Sequence, residues 1–356
     1  MRKAIQNIDA EVFVVDNNSS DKSIGYLEPK FSFVQFIINK ENVGFSKANN
    51  KALATAKGKY ILFLNPDTIV AEDSFEKCIH FLDSTPDAGA LGVKMIDGSG
   101  SYLKESKRGF PSPWVSFCKL SGLTSLFQHS KFFAKYYLGN LSEKENQIID
   151  SISGAFFFSR KDVLDKTGGF DEQFFMYAED IDLSYRIQQV GYKNYYLSES
   201  TIIHFKGEST KKDFQYVQQF YNAMAQFSKK YFSTLSSFIF SNLITVFLGF
   251  RRIFSSYKKQ EKNECSLLNL FLLGDDISCK SLKKNITDLK TKFVEQEQAA
   301  DGILFCEGDN YSFKKIIEKI QILTPEKKYF FHSRMSNSLI SSNQKETLGF
   351  SLDLNS

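Results

Sequence analysis

Glu179 and Asp180 stand side by side behind an aromatic run, Phe170-Asp171-Glu172-Gln173-Phe174-Phe175-Met176-Tyr177-Ala178. Ile181-Asp182-Leu183-Ser184-Tyr185-Arg186 follows, and the pattern predicts a helix over about 179–190 that opens on the two acids. A helix start holds carboxylates as anions, because its free N–H groups point at them. A carboxylate fixed beside apolar walls has the makings of a general base. The chemistry expected is deprotonation of a substrate hydroxyl.

Other polar residues fall where strands should end. Asp16 closes an apolar run and leads into Asn17-Asn18-Ser19-Ser20-Asp21. Its carboxylate can accept the N3–H of uracil or thymine; it can equally close an Asx turn, since Asp, Asn and Ser build such turns. Asn42-Val43-Gly44-Phe45-Ser46-Lys47-Ala48-Asn49-Asn50 puts a glycine before a helix. The N–H groups of that helix start can face a phosphate or ribose, or the segment is an ordinary loop-to-helix transition. Asn65-Pro66-Asp67-Thr68 follows the most apolar strand. A carboxylate there suits Mg²⁺ or Mn²⁺ shared with a diphosphate, although an isolated Asn-Pro-Asp is usually a turn. His204 is either a structural histidine or, beside Lys206, Ser209 and Thr210, a group for a metal or diphosphate.

Strands are expected over Glu11–Val15, Phe33–Ile38, Tyr60–Leu64, Ala90–Met95, Ile149–Arg160 and Tyr192–Leu197, with helices over about 46–57 and 73–83 between them. Strands that do not alternate, separated by helices, argue for a mostly parallel α/β sheet, whose ligands sit outside the carboxyl ends of the strands. Residues 98–149 read as a long irregular insertion, of the kind that forms lids or substrate loops.

The net charge of +4 over 356 residues gives no reason to expect nucleic acid. Five widely spaced cysteines without metal spacing fit reduced thiols in a cytoplasmic setting, and no signal peptide follows Met1-Arg2-Lys3.

Taken together, VVDNNSSD, NVGFSKANN, LNPDT, SGAFFFSR, GGFDEQFFMYAEDIDLSYR and HFKGEST resemble, in order and spacing, the family-2 glycosyltransferases of the GT-A fold, in particular the branch containing rhamnosyltransferases. The resemblance spans about residues 10–215. It implies a GT-A-type, mostly parallel Rossmann-like sheet and an inverting single displacement. Asp180 would be the base and Glu179 would hold or orient the acceptor. Asp16 would contact the nucleotide base, with Asn18, Asn42, Gly44 and Asn49 in the same donor site. Asp67 would bind the metal in a motif whose first acid is here Asn65. His204 would lie at the diphosphate and metal, and Gly154 and Ala155 would floor the sugar pocket. The implied donor is a nucleotide-diphosphate sugar, dTDP-rhamnose or a UDP-hexose, and the acceptor a polysaccharide or lipid-linked glycan of the cell envelope. Family members ordinarily begin with a further βα unit before the Asp16 strand. Met1-Arg2-Lys3-Ala4-Ile5-Gln6 matches the end of that unit's helix, so a shortened enzyme, or a descendant that binds nucleotide sugar without turnover, is the alternative.

The organisation expected is a transferase domain over 1–230, a hydrophobic helix over 231–258 and a small Rossmann-like α/β domain of unknown role over 265–356. Tyr231–Phe250 carries no charge and is bracketed by Lys229-Lys230 and Arg251-Arg252. It can lie on or span a membrane, which would place the protein at the inner face of the cell membrane, or pack the two domains together. In the last unit, Gly274-Asp275-Asp276 and Glu307-Gly308-Asp309 end strands and hint at a pocket, without a glycine-rich phosphate fingerprint.

Overall fold

The computed structural model describes residues 1–205, 214–234, 268–285, 291–323, 327–341 and 349–354, with isolated positions 238, 242 and 245. The expected α/β class holds. Strands β1 (Val12–Asp16) and β2 (Val34–Ile38) pair in parallel as a separate two-stranded sheet, with α1 (Ser23–Leu27) between them and α2 (Phe45–Leu53) after them. The central sheet contains β3 (Tyr60–Leu64), β4 (Thr68–Val70), β5 (Ala88–Ile96), β6 (Gln147–Ile149), β7 (Phe156–Arg160) and β8 (Lys193–His204) in the order β3-β7-β5-β8-β4, with β6 also on β8. It is mixed: β5 and β8 run parallel, while β7, β6 and β4 pair antiparallel with their neighbours.

Strand β5 is the spine, buried along nearly its whole length. Its small residues admit close neighbours; a Cβ at Gly89 would stand 2.7 Å from both Ile187 and Tyr192. Helix α3 (Ser74–Ser84) packs Phe75, Cys78 and Leu82 with Leu91 and Phe156 of the sheet. On the other face, α6 (Lys161–Thr167) and α7 (Glu179–Gln189) bury Val163, Leu164, Leu183 and Ile187. Full burial of such side chains stabilises by about 1.5–3 kcal/mol each.

The insertion carries two short helices, α4 (Pro113–Leu120) and α5 (Leu123–Leu126). Helix α8 (Phe214–Tyr231) covers the aromatic loop before α7 through Ala223, Met224 and Phe227. The hydrophobic helix expected over 231–258 lies mostly outside the described residues, and among these no helix is long and apolar enough to cross a membrane.

A second sheet of β9 (Leu268–Gly274), β10 (Thr291–Val294), β11 (Gly302–Cys306), β12 (Lys328–Ser333), β13 (Ser338–Ser341) and β14 (Phe350–Asp353) has the order β10-β9-β11-β12-β13-β14. Its first four positions are parallel and its last two pairings antiparallel, with α9 (Asp276–Asn285) and α10 (Phe313–Ile320) attached. Ile316, Ile317 and Ile320 of α10 and Phe305 and Phe331 of this sheet share a core with Ile69, Ile96, Ile203 and Phe205. The unit is thus fastened to the central sheet at its β4–β8 edge.

Candidate active site

Two residues force the chain to turn just before α7. Tyr177 and Ala178 have φ of 71° and 64°, a left-handed conformation that costs a non-glycine residue about 1–2 kcal/mol. Such strain is concentrated at functional sites, where surrounding packing holds it. Here Ala178 is buried and its carbonyl accepts the Asp182 N–H at 2.8 Å. Glu179 and Asp180 therefore open the helix, as the sequence predicts, but both point into a buried setting.

Every oxygen of Asp180 has a donor. Its Oδ2 accepts the Gly154 N–H at 2.8 Å and Arg108 Nη2 at 2.5 Å, and its Oδ1 accepts the Ile181 N–H at 2.8 Å. The Arg108 and Asp180 side chains are only 10% and 11% exposed, and Arg108 also donates to the Ile152 carbonyl. Arg108 comes from the insertion read as an irregular loop, and nothing in its local sequence marks it.

Glu179 differs from its neighbour. It is 7% exposed, and its Oε2 has no hydrogen-bond partner among the described residues. Burial, and then the Asp180 charge beside it, push its carboxyl up to about 8. A carboxyl that keeps its proton at neutral pH can donate a hydrogen bond.

Asp182 was not anticipated as a site residue and is fully buried. It binds Arg186 at 2.7 Å, Lys230 at 2.7 Å and the Tyr231 hydroxyl at 2.6 Å, while Lys230 also binds Asp171 at 2.6 Å. This network ties α8 to the aromatic loop and α7.

From Asp180 the hydrogen bonds lead to the expected metal pair. The Asn65 N–H donates to the Ala155 carbonyl, one residue from Gly154, at 3.0 Å. Thr68 Oγ1 donates back to the Asn65 carbonyl at 2.8 Å, and Thr68 pairs with His204 across β4 and β8. Asp67 Oδ1 lies 3.3 Å from His204 Nε2, each side chain 11% exposed. His204 thus ends β8 rather than following a strand. Likewise Ser153-Gly154-Ala155 is a turn between β6 and β7, not the middle of one strand. Lys206, Ser209 and Thr210 lie outside the described residues. No group of three or more His, Cys, Asp or Glu forms a ready metal cage among the described residues. One carboxylate and one imidazole fit a divalent ion that takes its remaining ligands from substrate phosphates and water.

The residues expected on the donor side are more loosely held. Asp16 accepts the Ser19 N–H at 3.2 Å, which closes an Asx-type turn. Asn17 donates to the Gly44 carbonyl at 3.1 Å and accepts from Asn39 at 2.9 Å, while Asn18 is exposed at φ 64°. Asn42 accepts the Gly44 N–H at 3.0 Å. Gly44 has φ 85°, and a Cβ there would stand 2.7 Å from the Phe175 carbonyl. The Phe45 N–H is taken by that same carbonyl at 2.8 Å, so this helix start meets the aromatic loop. Asn49 turns back onto the Phe45 carbonyl, and its neighbour Asn50 grips the loop, exchanging two bonds with the Phe170 backbone at 2.8 and 3.0 Å. An open cleft of about 230 Å³ lies between this loop and α8, lined by Gln173, Phe175, Gln219, Asn222 and Gln226 among others.

In the last unit two of the acids at strand ends, Asp275 and Glu307, are taken up by hydrogen bonds. Asp275 accepts from the Ser278 N–H at 3.1 Å and the Asn310 N–H at 3.3 Å. Glu307 accepts from Lys3 at 2.6 Å and the Arg334 N–H at 3.0 Å.

The chain is similar to an N-acetylglucosaminyl-diphospho-decaprenol L-rhamnosyltransferase of Mycobacterium tuberculosis, 25% identical over 213 residues, which are 57% of this chain and 68% of the relative. It is similar to the rhamnosyltransferase WbbL of Escherichia coli, 25% identical over 232 residues, 60% of this chain and 81% of the relative. Among solved structures, it resembles the mannosyltransferase PcManGT from Pyrobaculum calidifontis in complex with GDP-Man and Mn²⁺, at 15% identity and a TM-score of 0.43, covering 70% of this chain and 67% of that one. Residues 3–168 match the family model described as glycosyl transferase family 2. The match covers somewhat under half of the chain.

Proposed function

We propose that the chain transfers a sugar from a nucleotide-diphosphate sugar to an acceptor hydroxyl with inversion at the anomeric carbon. The observation that carries this reading is Asp180, buried at a helix start and held by Arg108 and by Gly154, whose neighbour Ala155 bonds the Asn65 segment that leads to Asp67. Asp180 takes the proton of the acceptor hydroxyl as that oxygen attacks. Glu179, protonated at neutral pH, orients the acceptor by donating a hydrogen bond. Gly154 and Ala155 floor the sugar pocket. Asp16, Asn18, Asn42 and Asn49 serve the nucleoside side. Gly44 supports it indirectly, by admitting Phe175.

Asp67 and His204 would hold Mg²⁺ or Mn²⁺, which offsets charge on the departing diphosphate. The names of the two rhamnosyltransferases support dTDP-rhamnose over a UDP-hexose as donor. The decaprenol-linked substrate named for one of them supports a lipid-linked acceptor in envelope glycan synthesis, at the cytoplasmic face of the membrane.

A second reading, nucleotide-sugar binding without turnover, is favoured by one observation. The ladder carrying Asp16 is a separate sheet from the one carrying Asp67. Calorimetric titration with dTDP, UDP and GDP, each with and without Mn²⁺, tests the site. Metal-dependent binding of one nucleotide is expected, and a folded sample that binds none contradicts the proposal. Product formation from the corresponding nucleotide sugar then separates turnover from binding alone.

A further inference from the structure

We propose that the ridge formed by residues 113–135 docks on a bilayer with anionic headgroups. The ridge begins with α4, whose first turn is capped by Ser112 accepting the Val115 N–H at 3.2 Å. Val115, Ser116 and Cys118 face inward, whereas Trp114 and Phe117, three residues apart, are 39% and 40% exposed. Leu126, Phe127 and Phe132 continue the surface at 73%, 45% and 59% exposure.

These side chains form one patch. The Trp114 ring lies 4.8 Å from Phe132 and 5.7 Å from Phe117, and Phe133 joins Phe132 and Phe127 at 5.2 and 5.1 Å. Contiguous apolar patches mark interaction sites, and an indole suits the boundary between headgroups and acyl chains.

Charge identifies the occupant. The chain has 41 acidic residues, yet none lies between Ser106 and Ser142, where Lys107, Arg108, Lys119, Lys131 and Lys135 fall. Lys107 and Arg108 are buried, but Lys131 and Lys135, which flank Phe132-Phe133-Ala134 in the sequence, are exposed. Lys104, also exposed, reaches Gln128 next to Phe127 at 2.7 Å. Glu105 and Glu143 only bound the stretch. Aromatic residues with lysines around them match the two layers of an anionic bilayer surface, acyl chains below and phosphate above.

Position supplies the use. Trp114 is six residues beyond Arg108, the residue paired with Asp180, so the ridge starts within about 20 Å of chain from the site. Docking there would present a lipid-linked acceptor to Asp180. That consequence rests on the transferase reading; the docking does not.

Trp114 is the only tryptophan in the chain, so its fluorescence reports on the ridge alone. The full chain is mixed with vesicles of phosphatidylcholine, with or without phosphatidylglycerol. A blue shift and quenching by brominated acyl chains are expected with the anionic vesicles only. Leu126→Ser/Phe127→Ser/Phe132→Ser and, separately, Lys131→Glu/Lys135→Glu should each weaken vesicle binding at least tenfold. The charge variant keeps the test valid should the apolar one misfold. Trp114 emission unchanged by either vesicle overturns the proposal, as does undiminished binding of the charge variant. Tight binding to neutral vesicles, or to an acidic protein in place of lipid, overturns it too. A shifted Trp114 in a chain that binds no nucleotide would leave the docking surface standing and remove the transferase reading.

Discussion

Both α/β units place acids after strands or at helix starts, yet they use them differently. In the C-terminal unit, Asp275 and Glu307 are 2% exposed and their carboxylates bind backbone N–H groups or Lys3. They cap a helix and fasten the first residues of the chain. In the central unit, Asp180 is held by Arg108, and Glu179 keeps an oxygen with no partner among the described residues. Burial is the same in both; the partners differ. Asp180 is as fully bonded as Asp275 and Glu307, but one of its donors is a buried guanidinium, and its neighbour Glu179, beside a strained turn, still has an oxygen to offer.

Removing the cation should break this contrast most strongly. Arg108→Gln leaves Asp180 buried without its partner and should cost about 3–5 kcal/mol of stability, measured by chemical denaturation. Transfer per folded molecule should fall as well, because Asp180 loses the guanidinium that holds it in place. Arg108→Lys should restore part of both. Unchanged transfer per folded molecule would reduce Arg108 to a structural role.

On the other side of the comparison, Glu307→Gln should cost about 1–3 kcal/mol through the lost Lys3 pairing, with transfer per folded molecule unchanged. Loss of transfer would give the C-terminal acids a part in the chemistry after all.

Glu179 provides a pH test. Its carboxyl is raised from an ordinary 4.5 to about 8, so the folded state binds the proton more tightly. That contribution to stability is complete below pH 4.5 and is lost as pH rises through about 8. Glu179→Gln should flatten the fall in stability over that window, followed by thermal unfolding at several pH values. An unchanged slope would mean that Glu179 is solvated.

The smallest effect is expected at Ala178. Glycine there relieves the left-handed strain but loosens the unfolded chain, so the net gain should stay below about 1 kcal/mol. A destabilised Ala178→Gly would show that the methyl group's packing outweighs the strain.

What could be read from the sequence follows from which forces are local. Tyr60–Leu64 was legible to the residue, because a compact apolar run ends sharply at Asn65-Pro66. Helix α7 was legible from its acids and apolar spacing. Strand β8 was cut short in the sequence because Ser198-Glu199-Ser200 reads as an end. The register against β5 instead jumps from Leu197 to Thr201, and the strand runs on to His204. Gly154 was expected in the sugar pocket, but its N–H on Asp180 could not be read. Arg108 was invisible for the same reason: its partner lies 72 positions away. In the C-terminal unit, glycine and acid after two strands hinted at a pocket, and only the partners of Asp275 and Glu307 show that those two acids are spent.

The most direct test compares Asp180→Asn with the parent for both nucleotide binding and sugar transfer. The side chain keeps its shape but loses its capacity to accept a proton. Transfer should fall by about 10²–10⁴-fold, while calorimetric affinity for the nucleotide with Mn²⁺ stays within a small factor. Equal loss of binding and transfer, or transfer that persists, would contradict Asp180 as the base.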